Sequence, residues 1–469
     1  PRSTPKPSSA ASDVYKRQVY KKLLGVFLLT SFFIFALVFH LRISTLHACA
    51  FDPLRPNTYE ADSLRQRYMH ALDAAAENQL FPGDFYFGLP RVEIGGRYNR
   101  VSGERSVPVE LLRAIGWVES SLTMGSRSTK FESVGTSLVS FDCGHGIMQV
   151  TSGMTVPIGI DGKPNDKQVA VATSYPHNIA RGAAVLAAKW NNAPQSRPIV
   201  GTDTNSDPSI IENWYYAVWA YNGFTGPASK KSNHPLDPTL QWPRSPYQSD
   251  GTQSRSRIPY QELVWGCMSN PAYRYGERLW EPVLVSLPNF NDPNFYNALS
   301  VSNFSFPYIN MDIPTPKPSH QTSKTNISTS IGEQIVGSPQ LQVSQQIVTL
   351  RINGSPDQAK ATIYISNTGS GLMPWSAKSS DSFLITSPPA GIAVGNNIPC
   401  KSGDCSRVPI ELTINPSLLP ASSASTTVTI SSPEIALSEK IQVRVYACLL
   451  YTSDAADEGL GVDLGGRRI

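Results

Sequence analysis

One carboxyl group in this sequence stands where it could act as a general acid. Glu119 follows Ile115 by four residues near the end of an amphipathic helix, so it lies toward the apolar side of that helix. Burial on that side disfavours the charged form, raises the pKa of a carboxyl and keeps it protonated near pH 7. A protonated carboxyl in a cleft can break a glycosidic bond by protonating its poor leaving group. Taken alone, a glutamate near a helix end is more often a surface residue or half of a salt bridge.

Further motifs follow Glu119 along the chain and change this interpretation. They are, in order, Gly146-Ile147-Met148-Gln149, Asn178-Ile179 with Gly182, and Ala220-Tyr221-Asn222. With Glu119-Ser120 they form an ordered set that resembles the lysozyme-like family of soluble lytic transglycosylases. That family has a helix ending in Glu-Ser, a Gly-Leu-Met-Gln turn, a helix with Asn-Ile-x-x-Gly and a helix ending in Ala-Tyr-Asn. Each motif is weak singly, and the ordered set is specific.

The resemblance implies a reaction on the glycan strands of peptidoglycan. Glu119 would protonate the oxygen of the β-1,4 bond between N-acetylmuramic acid and N-acetylglucosamine. As a carboxylate it would then take the proton of the muramic C6 hydroxyl, leaving a 1,6-anhydro end. No second carboxylate nucleophile is implied, because the acetamido group of the substrate can shield the oxocarbenium-like centre. No cofactor and no metal are implied.

The resemblance also implies substrate-binding roles around this acid. Ser120 would bond near the glutamate or the substrate. Met148 and Gln149 would line the floor of the cleft. Tyr221 would orient Glu119, and Asn222 would support the site. Packing alone would also account for Met148 and Tyr221, and Asn222 could simply cap a helix.

Two departures from the family pattern leave other functions open. An insertion, TMGSRSTKFESVGTSLVSFDC, separates Glu119 from Gln149, and Gly223-Phe224 replaces the usual Ala-Gly. The insertion carries Glu132 and Asp142, either of which could activate a water opposite Glu119 and make the enzyme a lysozyme-type hydrolase. A chain that grips glycan without cutting it is the remaining alternative.

The pattern of apolar residues predicts a multidomain chain with a mainly α domain and an all-β domain. Residues 57–300 are helical in character, and the helix that follows Pro108 has one apolar face, made by Leu111, Ile115, Val118 and Leu122. Further helices are predicted in ADSLRQRYMHALDAAAENQL, in HNIARGAAVLAAKWN and in IIENWYYAVWAYN, the last closed by Gly223. Residues 312–335, rich in Pro, Ser and Thr, predict an extended and poorly packed linker.

Alternating apolar residues between 340 and 447 predict a small antiparallel β-sandwich. The alternating runs are Val348-Leu350-Ile352, Ala361-Ile363-Ile365, Ile410-Leu412-Ile414 and Ile441-Val443-Val445. The run from Asn367 to Leu372, with Trp375, resembles bacterial immunoglobulin-like modules of the BACON type. Trp375 could stack on a sugar, although a tryptophan in a sandwich core is the commoner case. The domain could bind a surface, a glycan or another protein.

The N-terminal part predicts export from the cytoplasm. Residues 19–42 combine Lys21-Lys22 with a long apolar run, which favours a transmembrane or signal-anchor helix with the rest of the chain outside. The site around Cys49 resembles a processing site or a degenerate lipobox, and we favour the uncleaved anchor. Residues 1–18 and 448–469 resemble foreign linker sequence and are left out of the fold prediction.

Charge and cysteine content exclude some partners and suggest disulfides. The net charge is +4, with no basic run interleaved with aromatic residues, so a nucleic-acid partner is not expected. The sequence has neither CxxC nor HxxxH, so a zinc site is not expected. In an oxidising compartment the cysteines of the exported part should pair, and the predicted pairs are Cys143–Cys267 and Cys400–Cys405.

Overall fold

The computed structural model describes residues 49–155, 163–224, 233–237, 239–240, 243–292, 312–325, 329–352, 359–401 and 404–447. The predicted membrane segment at 19–42 and the predicted foreign ends at 1–18 and 448–469 lie outside these ranges. Within them, no helix combines the length and the apolar character that crossing a membrane requires. From Cys49 onward the chain is one unit, in which a helical part is followed by a β-sandwich.

The helical part contains α1 (Gln66–Ala76), α2 (Val109–Ser120), α3 (Asp166–Thr173), α4 (Tyr175–Ser196), α5 (Tyr215–Tyr221) and α6 (Tyr260–Ser269). Single 3₁₀ turns lie at Ile211–Trp214 and Arg255–Arg257. Three short antiparallel strand pairs accompany the helices: β1 (Asn57–Glu60) with β4 (Ser133–Thr136), β2 (Glu93–Ile94) with β3 (Val101–Ser102), and β5 (Tyr273–Arg274) with β6 (Glu277–Arg278).

Helix α2 has the predicted apolar face, and the position of its C-terminal end puts Glu119 on the last turn. Leu111, Ile115 and Val118 are buried, as is Leu122 just beyond the helix. The helix begins after Pro108, whose missing N–H matters least at a helix start. It ends at Ser120, because the next two residues have left-handed backbone, with φ of 56° and 54°. Glu119 therefore lies on the last turn.

The second part is a β-sandwich of two sheets. Its elements are α7 (Thr329–Val336), β7 (Leu341–Val343), β8 (Ile347–Ile352), β9 (Lys360–Asn367), β10 (Leu372–Ser379), β11 (Leu384–Ser387), β12 (Ala390–Val394), β13 (Arg407–Ile414), a 3₁₀ turn (Pro416–Leu418), β14 (Ser423–Ser432) and β15 (Ile435–Ala447). The strand orders are β12-β10-β14-β15-β8 and β11-β13-β9-β7. All four predicted alternating runs lie in strands. The prediction of a purely antiparallel sandwich was wrong, because β8 pairs with β15 in parallel.

Trp375 belongs to the core of the sandwich. Its side chain is 1% exposed and packs with Ile363, Ile410 and Ile430 in one buried cluster. The sandwich-core interpretation of Trp375 is therefore confirmed, and a sugar cannot stack on it without unfolding the domain.

The prediction that residues 312–335 form a poorly packed linker was wrong. Residues 312–325 lie against the helical part, and the chain then forms α7. The backbone N–H of His320 donates to Glu212 at 2.8 Å, and the hydroxyl of Thr322 donates to Glu110 at 2.7 Å. Glu212 and Glu110 are 0% and 3% exposed, so the segment supplies bonds that these buried carboxyls need. The Pro, Ser and Thr content of this segment indicated an extended backbone, but it did not indicate which polar groups the segment covers.

Polar contacts and a shared core join the sandwich to the helical part. Strand β12 is buried throughout and contributes to the same apolar cluster as the helices. The Tyr59 hydroxyl donates to Pro399 O at 2.6 Å, and Lys401 Nζ lies 2.5 Å from Glu132 Oε2. His177 Nε2 lies 2.5 Å from Glu434 Oε1. The insertion that carries Glu132 therefore helps to hold the two parts together.

The disulfides agree with the prediction in one pair and differ in the other. Cys400–Cys405 is present, and Cys143 pairs with Cys49 instead of Cys267. Cys267 lies 1% exposed on the buried face of α6, where burial raises the pKa of its thiol to about 12. The pairing was wrong because Cys49 was assigned to a processing site. A disulfide at Cys49 is incompatible with lipid attachment to its sulfur.

Candidate active site

A cavity of about 270 Å³ opens beside the last turn of α2. Glu119 forms part of its wall, together with residues of the loop 142–152, of α4 and of the end of α5. From this loop come Asp142, Gln149, Val150, Thr151 and Ser152. From α4 come Val185 and Lys189, and from the end of α5 and the residues after it come Tyr221, Asn222 and Gly223. Segments far apart in the chain thus meet around the carboxyl group of Glu119.

The environment of Glu119 holds its pKa well above the ordinary value for a glutamate. The side chain is half-buried, and burial raises its pKa to about 7. The negative charge of Asp142 acts in the same direction. A hydrogen bond from the Tyr260 hydroxyl to Oε1, at 2.6 Å, and the positive charge of Arg255 oppose the rise. With a pKa of about 7, Glu119 keeps a protonated fraction at neutral pH, and the protonated form is the one that can donate a proton.

The loop that faces Glu119 is held by a buried asparagine. Asn178 on α4 accepts a hydrogen bond from Met148 N at 2.9 Å and donates to His145 O at 2.7 Å. Gly146 has φ of +64°, and a Cβ there would lie 2.7 Å from Asn178 Nδ2. The glycine and the asparagine of the recognised motifs therefore define the path of this loop.

Met148 lies beneath the cavity and does not line it. Its side chain is 0% exposed, and a Cβ on Gly182 would lie 2.5 Å from Met148 Cβ. The predicted role of Met148 on the cleft floor was wrong, because the close approach of α4 covers the side chain. Gln149 does reach the cavity, and its Nε2 donates to Gly146 O at 2.7 Å.

The hydroxyl of Ser120 makes hydrogen bonds to backbone groups of the protein. Its hydroxyl lies 2.9 Å from Ile147 O and 3.1 Å from Gly116 O, and it accepts from Thr123 N at 3.1 Å. These bonds lie next to Glu119 but do not include it, and a bond from Ser120 to the substrate stays a prediction. The serine ties the end of α2 to the loop 142–152.

The tyrosine that bonds Glu119 was not found from the sequence. Tyr221 lines the cavity, but its hydroxyl donates to Met148 O at 2.8 Å, so it is not the residue that orients the acid. Tyr260, at the start of α6, makes that bond across a separation of 141 residues. No spacing in the sequence relates Tyr260 to Glu119, since only the packing of α6 against α2 brings them together.

Asn222 follows the last residue of α5 and is one of the residues that line the cavity, while its predicted role in supporting the site stays a prediction. Its side-chain oxygen accepts a hydrogen bond from Asn233 at 2.7 Å. This bond joins the residue after α5 to Asn233.

The two carboxylates of the insertion have different surroundings. Asp142 lines the cavity and accepts a hydrogen bond from the Ser140 hydroxyl at 2.5 Å. Glu132 faces the sandwich and pairs with Lys401. Asp142 is therefore the carboxylate of the insertion that shares a cavity with Glu119.

No protein-family model matches this sequence, and no curated protein matches it. Solved structures match short parts of the chain. A CsuC–CsuE chaperone–tip adhesion subunit complex from Acinetobacter baumannii is 14% identical over 23% of this chain and 57% of that chain, with a TM-score of 0.18. The CupB2 chaperone of Pseudomonas aeruginosa is 12% identical over 24% of this chain and 60% of that chain, with a TM-score of 0.19. A PapD-like domain of human CEP192 is 10% identical over 29% of this chain and 98% of that chain, with a TM-score of 0.18. The part of this chain that matches the YadV chaperone spans 50% of that chaperone's length.

Proposed function

We propose that this protein is a lytic transglycosylase with a lysozyme-like catalytic domain, acting on the glycan strands of peptidoglycan. The observation that carries the proposal is the Glu119 carboxyl, which is half-buried in a cavity with its pKa raised to about 7. Gln149, Tyr221 and Asn222 of the recognised motifs surround the same cavity.

The proposed reaction uses both protonation states of Glu119. The protonated carboxyl gives its proton to the bridging oxygen as the glycosidic bond breaks. The resulting carboxylate then accepts the proton of the C6 hydroxyl as that oxygen attacks C1 and closes the 1,6-anhydro ring. The proton taken from the C6 hydroxyl restores the acid, so no water is consumed. The hydrogen bond from Tyr260 would stabilise the carboxylate between the two steps.

We further propose an extracytoplasmic location, with the chain anchored by the segment 19–42 or secreted. The two disulfides support an oxidising compartment. The β-sandwich would be an immunoglobulin-like module that remains attached to the catalytic part, with a surface or protein partner still to be identified.

The test is digestion of purified sacculi by residues 49–447, beside a Glu119→Gln variant. Mass spectrometry should find anhydromuramyl ends from the wild type, and activity should fall at least about a hundredfold in the variant, because the proton donor is lost. The sandwich is kept because its core is continuous with that of the helical part. Full activity of a folded Glu119→Gln variant would rule out the proposed acid.

A lysozyme-type hydrolase is the second candidate, and the position of Asp142 favours it. Asp142 shares the cavity with Glu119 and could activate a water on the other face of the sugar. Hydrolysis adds one water to the product, so reducing ends in place of anhydro ends would identify it. In that case Asp142→Asn should abolish cleavage, whereas a transglycosylase should retain most of its activity in this variant.

A further inference from the structure

Lys189 brings a positive charge into the cavity that contains Glu119. It lies on α4, one turn after Val185, and both side chains line the cavity together with Tyr221 and Asn222. Lys189 is half-buried, and none of the recognised motifs includes it. The catalytic proposal gives it no role.

The ammonium of Lys189 has no anionic partner within the described ranges of the chain. It forms no ion pair there, whereas each of the two carboxyl groups of the cavity has a hydrogen-bond partner. Glu119 bonds Tyr260, and Asp142 bonds Ser140. The charge that acts on Lys189 is that of Arg197, which is also positive.

Leaving a cation in this position is unfavourable for the protein alone. Burial, and then the charge of Arg197, lower the pKa of Lys189. A partly desolvated ammonium is stabilised when an anion or hydrogen-bond acceptors replace the lost water. An anionic group of a ligand would supply both, and it would also reduce the repulsion between the two cations.

We propose that Lys189 forms a carboxylate-binding subsite of the cavity, selecting glycans that carry an acidic substituent over uncharged glycans. The inference deepens the proposed function and rests on it for the identity of the glycan. In a peptidoglycan strand the acidic groups are the carboxylates of the peptide substituents, or the lactyl carboxylate where the peptide is absent. A lysine suits this role because its flexible stem and point charge tolerate carboxylates at different distances from the sugar ring.

Binding measurements can test the subsite separately from catalysis. The protein is residues 49–447 with Glu119→Gln, so that bound glycan is not cut. The ligands are a peptidoglycan tetrasaccharide with free carboxylates, the same fragment with its carboxylates amidated, and an uncharged N-acetylglucosamine tetramer. Calorimetry gives each Kd with and without the further change Lys189→Met, which keeps most of the side-chain volume.

Loss of the ammonium should weaken binding of the free-carboxylate fragment about tenfold, because a charge-assisted bond is removed. Amidation should weaken binding to the Lys189 protein by a similar factor, with no further loss in Lys189→Met. The uncharged tetramer should bind both proteins equally, and Lys189→Arg should keep most of the preference. Lys360→Met, an equal charge change at a surface pair with Glu411, should have no effect.

Equal binding of the three ligands, or equal weakening of all three by Lys189→Met, would overturn the subsite. If Lys189→Met fails to fold, the protein with Lys189 still provides the test. Equal binding of the free-carboxylate and amidated fragments to it would overturn the subsite. Failure of the proposed function gives a different pattern: sacculi would remain uncut by the wild type while the Lys189-dependent preference persisted.

Discussion

Opposing influences on one carboxyl decide which form of Glu119 is present at neutral pH. Burial and Asp142 favour the protonated acid, whereas Tyr260 and Arg255 favour the carboxylate. The proposed reaction begins with the protonated form. Its rate at limiting substrate should therefore be highest below the pKa of Glu119 and fall as the pH rises through about 7.

Tyr260→Phe should move this decline to higher pH. The lost hydroxyl donates to the carboxylate, so its removal disfavours the charged form and raises the pKa of Glu119 further. The measurement is kcat/KM between pH 5 and 9. Tyr221→Phe is the matched control, because its hydroxyl donates to Met148 O and makes no bond to Glu119. A decline at the same pH in Tyr260→Phe and the wild type would show that this bond does not tune the acid.

At the scale of elements, α4 serves as the support for the loop opposite Glu119. Asn178 holds the loop through backbone hydrogen bonds, and Gly182 lets Met148 pack directly on the helix. The recognised Asn-Ile-x-x-Gly pattern thus positions the loop, while Gln149 on that loop reaches the cavity.

Gly182→Ala should destabilise the protein and reduce its activity together. The new Cβ would lie 2.5 Å from Met148 Cβ, so the loop must shift. Overpacking of this kind costs about 1–3 kcal/mol, which outweighs the gain of alanine over glycine in a helix. Urea unfolding measures the change in the free energy of unfolding. Gly83→Ala is the control, since its Cβ would meet nothing within 4 Å, and equal stability of the two variants would contradict this account.

At the scale of the whole molecule, the helical part and the sandwich share one core. Strand β12 is buried against the helical part, and the insertion before Gln149 contacts the sandwich through Glu132. The disulfide between Cys49 and Cys143 ties the same insertion to the start of the described chain. The insertion is thus a connector between the parts and also supplies Asp142 to the cavity.

Residues 49–447 should therefore unfold in one cooperative transition. A chain that ends at residue 325 should unfold at a lower temperature, because the apolar surface that β12 covers becomes exposed to water. Scanning calorimetry compares the two chains, and binding of a hydrophobic dye reports the exposed surface. Two separate transitions in the longer chain, with the first unchanged in the shorter one, would show that the parts fold independently.

Local patterns in the sequence were enough to predict much of this architecture. The apolar face of α2, the closure of α5 before Gly223, the sandwich strands and the short-range Cys400–Cys405 bridge were predicted correctly, and Glu119 lies in a cavity as expected. All of these depend on residues that are near one another in the chain. Periodicity of 3.6 or 2 residues identifies which face of an element is apolar.

Contacts between distant segments could be decided only by the folded chain. Tyr260 bonds Glu119, Cys49 pairs with Cys143, and residues 312–325 cover Glu110 and Glu212, each across a long stretch of sequence. The pattern of apolar and polar residues shows which face of an element will be buried, but it does not specify which distant element will pack on that face. Met148 was predicted to line the cleft floor for the same reason. The sequence places it beside Gln149, whereas α4, once packed, covers its side chain.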